Sequence, residues 1–224
     1  MTLVQSVLSE VLNGHWKPGQ HLVGQELADR YGVSQTPIRE ALITLAGIGI
    51  VDLLPNRGAV VRSITVQEVR EVCQVRRVLE CEATRSATSQ IDIDSLEAMA
   101  VEMRSLATAE QGPDAMTVAR DIDNRFHDLI SSACENTLLA REIGRLKLLF
   151  RAYRDTAWDR VSAKNDYSRI AVEAAEHLAI VESLTARDAS GAARAMASHI
   201  RSGERYWCRY MTSAGTTTIK KGRS

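Results

Sequence analysis

Apolar residues recur along this chain in two registers, a helical one over most of its length and a short strand-like one near residues 50–62. Leu3, Val4, Val7, Leu8, Val11 and Leu12 fall on one face of an amphipathic helix, and Gly14 follows as its stop. Pro18-Gly19 marks a turn. Glu26 to Tyr31 then suit a short second helix closed by Gly32, which tolerates the left-handed conformation at a helix end. Two residues further on a third helix begins, capped by Ser34 or Thr36, with Pro37 in the first turn and Ile38, Ala41, Leu42 and Leu45 as its apolar stripe. Ile50 to Leu54 and Ala59 to Arg62 are β-rich runs around Pro55-Asn56-Arg57-Gly58, which predicts a hairpin.

Beyond this hairpin the pattern is helical throughout. Thr65-Val66-Gln67-Glu68 has the form of a capping box, and Val72, Val75, Val78, Leu79, Ala83 and Ala87 continue with helical spacing. Asp92 or Asp94 caps a further helix, Gly112-Pro113 breaks it, and Asp114 can start the next. Six or seven helices to about Thr212, with no convincing strand, predict an antiparallel helical bundle. The expected fold is therefore mainly α. A winged helix-turn-helix over residues 1–64 precedes an all-helical unit over 65–212, and residues 213–224 form a flexible tail that carries Lys220, Lys221 and Arg223.

Composition changes this picture little. The chain has 224 residues and a net charge of zero, and its first 62 residues are balanced too, so bulk charge does not announce a nucleic-acid partner. Any DNA contact must come from local placement. Cys73, Cys81, Cys134 and Cys208 are widely separated and form no metal-binding or redox pair, which suits reduced thiols. No run of about 18 apolar residues and no secretory pattern is present, so a cytoplasmic protein with no membrane partner is expected.

A helix, a short glycine-containing turn and a second helix form the unit that lays its second helix in the major groove, with the N-terminal residues of that helix facing the bases. Arg57 at the hairpin tip, beside Gly58, is placed to enter a minor groove or meet phosphate. Pro18-Gly19, Glu26-Leu27-Ala28, the string from Tyr31 to Leu42 and Asn56-Arg57-Gly58 together resemble the GntR family of winged-helix repressors over about residues 1–62. That resemblance implies double-stranded operator DNA as partner and assigns Arg39 to DNA contact. Gln35, Thr36, Arg39, Arg57 and Gly58 are the candidate DNA-binding residues. Gln35 and Gln25 depart from the arginines found at these positions in relatives, and glutamine pairs with adenine where arginine prefers guanine, so a different operator is expected.

In the second unit His127, His177 and His199 each lie on a predicted helix, and His127 follows Asp123 by four, on the same face. If these helices pack together, one carboxylate and three imidazoles converge on a site suited to Zn, Ni, Mn or Fe. Separately, the usual reading of each histidine is a hydrogen-bonded core residue. Asp123 to His127, Asn136, and Glu176-His177 through Ala192, Ala195 and His199 resemble the FCD ligand-binding domain of FadR-type GntR members over about residues 66–210. Arg76 to Glu80 resembles its early helix. The resemblance implies a divalent transition metal held by Asp123, His127, His177 and His199, a small carboxylate effector and a homodimer. It also implies an effector-binding role for Arg76, whose alternative is an exposed pair with Glu80. The expected protein is not an enzyme but a ligand-responsive repressor. The rival readings are a regulator for which the metal itself is the signal, and a metal-dependent hydrolase using the same four residues.

Overall fold

The computed structural model describes residues 2–12, 14–55, 57–63, 65–162 and 166–212. The expected tail at 213–224, with Lys220, Lys221 and Arg223, lies outside the described residues, as does Asn56 of the hairpin turn. The chain is mainly helical. It opens with α1 (Leu3–Leu12), β1 (His21–Leu22), α2 (Gly24–Tyr31), α3 (Gln35–Ile48), β2 (Val51–Leu54) and β3 (Gly58–Val61). Six helices follow: α4 (Val66–Ala87), α5 (Ile93–Thr108), α6 (Pro113–Ala133), α7 (Thr137–Ser162), α8 (Ser168–Thr185) and α9 (Ala189–Thr212).

The first part is built as its pattern dictates. Val7 and Leu8 of α1, Leu27 and Ala28 of α2, and Ile38, Ala41, Leu42 and Leu45 of α3 are buried together. Gly32 ends α2 at φ 65° and Gly49 ends α3 at φ 93°, both left-handed. Ser34 occupies the cap position of α3, but its side chain makes no capping hydrogen bond. Two hydrogen-bonded hairpin strands were expected, and the sheet has three, in the order β1-β3-β2, all antiparallel. His21 and Leu22, a strand of two residues, are too short to show a period. Gly58 pairs with Leu54 and has φ 89°; a Cβ there would come within 2.0 Å of the Leu22 carbonyl oxygen, so packing alone demands glycine.

In the second part the capping box forms as expected, with the Glu68 amide donating to Thr65 Oγ1 at 3.1 Å and the Thr65 amide to Glu68 Oε2 at 2.8 Å. Asp92, not Asp94, caps α5 through the Ser95 amide at 2.9 Å. Pro113 starts α6, with Asp114 inside its first turn. Helix α9 packs along α4 and α8, and α8 also packs on α5. The face of α4 is a correction: Val75 and Val78 are exposed, whereas Arg76 and Glu80 point inward and are 5% and 3% exposed. Two charges displace two valines from the core because they have partners there. Among the described residues no helix is long and apolar enough to cross a membrane.

Candidate functional site

Helices α6, α8 and α9 bring four donors together. Asp123 and His127 sit one turn apart on the buried face of α6, His177 lies on α8 and His199 on α9, and their ligand atoms are all within 4.8 Å of one another. All four residues are buried. Asp123 Oδ1 is 3.5 Å from His127 Nε2 and 3.6 Å from His177 Nε2, while His127 Nε2 is 3.3 Å from His199 Nε2. Donors bonded to a common ion at roughly 2.0–2.2 Å stand about 3–3.5 Å apart, so these separations fit one ion.

Protons on the rings decide what this cluster can do. His127 Nδ1 lies 2.6 Å from Glu80 Oε2, and His199 Nδ1 lies 3.0 Å from Glu176 Oε2. An ionised carboxylate only accepts, so each ring carries its proton on Nδ1 and turns the Nε2 lone pair into the site. Burial opposes the charge of Glu80, but Arg76 and His127 outweigh it and hold its carboxyl well below the usual carboxylate range. The same contest leaves Glu176 at about 2, with His199 and Arg169 as the stabilising partners. Two lone pairs therefore face each other at 3.3 Å, and among the described residues the buried His177 Nε2 has no hydrogen-bond partner, since 3.6 Å to Asp123 is too long. Burial pushes His127 and His177 below the ordinary histidine value, which disfavours an imidazolium as the bridge. A cation satisfies all of these groups at once.

Arginines complete the shell. Arg154 on α7 donates through Nη1 to Asp123 Oδ2, leaving Oδ1 to face the histidines. Burial raises the Asp123 pKa, yet Arg154 and the three histidines hold it far below the carboxylate range. Arg76 donates from Nε to Glu80 Oε1 at 2.6 Å, and its guanidinium lies 3.9 Å from the centroid of the Phe150 ring. The i,i+4 pair with Glu80 is thus real but buried, not solvated. Arg169 grips Glu176 with Nη1 at 3.2 Å and Nη2 at 2.7 Å. Sequence reasoning named Glu80 and Glu176 only in passing and missed Arg154, Arg169 and Glu173. Of these, only Glu173 carries a local signal, since it stands four residues before His177 on the same helix face.

The candidate DNA-binding residues lie apart from this centre. Gln35, Thr36 and Arg39 are exposed at the start of α3, and Arg57 is exposed in the turn between β2 and β3. Gln35 is not free-standing, because its amide nitrogen donates to Gln25 Oε1 on α2.

Residues 2–61 match the family described as "Bacterial regulatory proteins, gntR family", and residues 71–202 match the FCD domain. The chain is similar to the HTH-type transcriptional repressor RspR of Escherichia coli (strain K12), at 30% identity over 187 residues, covering 82% of this chain and 78% of that one. It is also similar to the HTH-type transcriptional regulator LutR of Bacillus subtilis (strain 168), at 26% identity over 217 residues, covering 87% of this chain and 94% of that one. Among solved structures, that of E. coli McbR/YncC superposes with a TM-score of 0.75 at 19% identity, covering 93% of this chain and 98% of the other, which shows the same fold.

Proposed function

This chain belongs to the GntR family of bacterial transcriptional regulators and carries its FCD domain, and from that premise we propose that it is a homodimeric operator-binding repressor released by a small carboxylate effector. Residues 1–64 are its DNA-binding unit and residues 65–212 its sensing and dimerisation unit, working in the cytoplasm. Two copies of α3 enter successive major grooves of a palindromic operator, where Gln35, Thr36 and Arg39 face the bases. Arg57 and Gly58 carry the wing to the neighbouring backbone or minor groove. A repressor among the named relatives supports the sign of regulation.

Asp123, His127, His177 and His199 would hold a divalent transition ion, Zn, Ni, Mn or Fe, which when bound supplies a Lewis-acidic position for a ligand oxygen. The observation that carries this reading is the set of inward Nε2 lone pairs, fixed by Glu80 and Glu176, around Asp123 Oδ1. Arg76, held by Glu80 and Phe150, completes the pocket for the effector carboxylate. Three guanidiniums beside the site, from Arg76, Arg154 and Arg169, offset most of its carboxylate charge, so a dication leaves the centre attractive to an anion. Burial of all four ligands favours a resident ion over a reversibly sampled metal signal.

The effector acts only as far as it binds the DNA-competent and DNA-incompetent forms with different affinity. Metal analysis of the purified protein, followed by a thermal-shift screen of small carboxylates and by operator binding with each hit, tests the reading. The expected result is about one ion per chain and a hit that weakens operator binding. No metal uptake from Zn, Ni or Mn, with no thermal shift, returns the histidines to a core role.

A further inference from the structure

The chain is neutral overall, yet one face of α9 is not. Between Arg194 and Arg209 the exposed positions of this helix are Arg194, Ser198, Arg201, Arg205 and Arg209. Steps of seven, four and four residues keep the four arginines on one side of the helix, over about 22 Å at 1.5 Å per residue. Glu204, the one acid of α9, is half-buried and acts on Cys73 and Cys208 at the packing face toward α4. Arg77 of α4 and Arg201 act together on Cys81, and Arg70 of α4 acts on Cys208, so α4 borders the arginine row with two more cations.

Like charges one turn apart weaken a helix, and exposed arginines are ordinarily offset by neighbouring acids. Elsewhere in this molecule they are: Arg125 on α6 holds Asp121 and Glu102, and Arg85 on α4 holds Glu82. Among the described residues Arg77, Arg201 and Arg205 have no carboxylate within ion-pair distance, and Arg194 reaches Asp188 at 3.8 Å. The helix dipole favours a cation in the last turn, which accounts for Arg209 but not for the arginines two and four turns before it.

Such a face fits a polyanion. Its exposed positions hold no apolar residue, whereas a protein partner is ordinarily held by a buried aromatic or aliphatic centre; DNA interfaces are polar and strongly positive. Position favours DNA as well. Cys208 Sγ lies 4.0 Å from the Val66 carbonyl oxygen, so the last turns of α9 stand at the start of α4. Val66 follows Gly58 of the hairpin by eight residues, a reach of at most about 29 Å. Duplex that runs on past the hairpin for one turn, about 34 Å, is long enough to meet the arginine row if it bends toward it.

We infer that Arg194, Arg201, Arg205 and Arg209 on α9 form a second DNA surface, which holds the phosphate backbone of duplex flanking the operator. This inference rests on the operator-binding reading above and adds to it: α3 reads bases, and α9 draws the flank against the helical part without reading sequence.

The test titrates the full-length protein, by fluorescence anisotropy, against two duplexes. One is the palindromic site recovered by selection from randomised DNA, trimmed to its outermost selected base pair; the other is the same site with random-sequence flanks of about 15 base pairs on each side, longer than one duplex turn. At about 0.1 M salt the flanks are expected to tighten wild-type binding about ten-fold or more, and to steepen the log–log fall of affinity with salt by about 0.9 per phosphate contacted. Arg201→Ala combined with Arg205→Ala, both at exposed positions, is expected to remove most of that gain and to leave the trimmed site bound as before. Arg201→Lys combined with Arg205→Lys keeps the charge and is expected to keep most of the gain. Equal wild-type binding of the two duplexes, or a flank gain that survives in the double-alanine protein, overturns the α9 surface and leaves the operator-binding reading standing. A gain lost as fully with lysine as with alanine assigns it to helix structure rather than charge and overturns the surface too. No binding of either duplex by wild type overturns the operator-binding reading and the α9 surface with it.

Discussion

The side-chain amide of Gln35, the first residue of α3, donates to the side-chain carbonyl of Gln25 on α2, and Gln25 in turn donates to Asp29 Oδ1 at 2.7 Å. Gln25 and Gln35 are therefore one structural unit. The contact fixes which end of the Gln35 amide turns outward. Gln35→Arg is expected to move operator preference toward guanine at one position per half-site, as read by selection on randomised half-sites. A double-mutant cycle of Gln25→Ala and Gln35→Ala should give a coupling of about 0.5 kcal/mol or more in operator binding. Additive effects would show that the pair breaks before DNA is engaged.

Arg39 and Arg57 are exposed on α3 and on the turn between β2 and β3, with their charges turned to solvent. Arg39→Ala should weaken operator binding by about 1–3 kcal/mol if it reads a base, and should relax sequence preference. Arg57→Ala should weaken binding to all sequences and make it less salt-dependent. Unchanged affinity in both folded variants would remove the proposed DNA-binding surface.

Chelation should lower the melting temperature, because an ion at a hundred-fold excess over its Kd stabilises the folded state by about 2.7 kcal/mol, roughly 5–10 °C for a chain of this size. His177→Ala or His199→Ala should remove most of the metal. Glu80→Ala leaves all four ligands in place but frees the His127 ring, and should weaken metal binding by about 10- to 100-fold. Full metal affinity in Glu80→Ala would detach that hydrogen bond from the function of the centre.

Metal retention should depend on pH in one direction. Burial holds His127 and His177 below 6.5, so both are neutral ligands at pH 7, and the ion should be lost only as pH falls below 6.5 through their lowered values. The metal-free protein should lose stability in the same sense. The unfolded chain takes up protons near 6.5 before the folded histidines do, so their contribution is present above that value and fades as pH falls. Glu173, raised by burial, shifts the other way and works against this trend. Melting temperatures of chelated protein between pH 8 and 5 measure this, and a flat or rising trend toward acid would contradict it.

Arg145 on α7 donates through Nη2 to the Gly47 carbonyl at 2.6 Å, in the last turn of α3. Nine residues further along the same helix, about 14 Å at 1.5 Å per residue, Arg154 holds Asp123. Helix α7 thus touches both the Asp123–histidine cluster and α3. In hydrogen exchange, zinc should protect α3 as well as α6 to α9 in wild type, and Arg145→Ala should confine that protection to the second part. Protection of α3 that persists in the variant would place the coupling elsewhere.

Local order was legible in the sequence because local rules produce it. The apolar stripe of α3, the glycine stops at Gly32 and Gly49, the capping box at Thr65 and the i,i+4 pair of Asp123 and His127 each depend on residues within about one helical turn or on backbone freedom at a single position. The four metal-site candidates were named as types and positions, and a family resemblance grouped them. The remainder required the tertiary structure. Strand β1 exists only because β3 offers it a partner, and the face of α4 was misjudged because Arg76 and Glu80 are buried by partners that the spacing of valines does not reveal. Glu80 meets His127 across 47 residues, Glu176 meets His199 across 23, and Arg154 meets Asp123 across 31. A hydrogen bond at such separations depends on how helices are rotated against one another, and periodicity fixes which face of a helix is apolar without fixing what that face will meet.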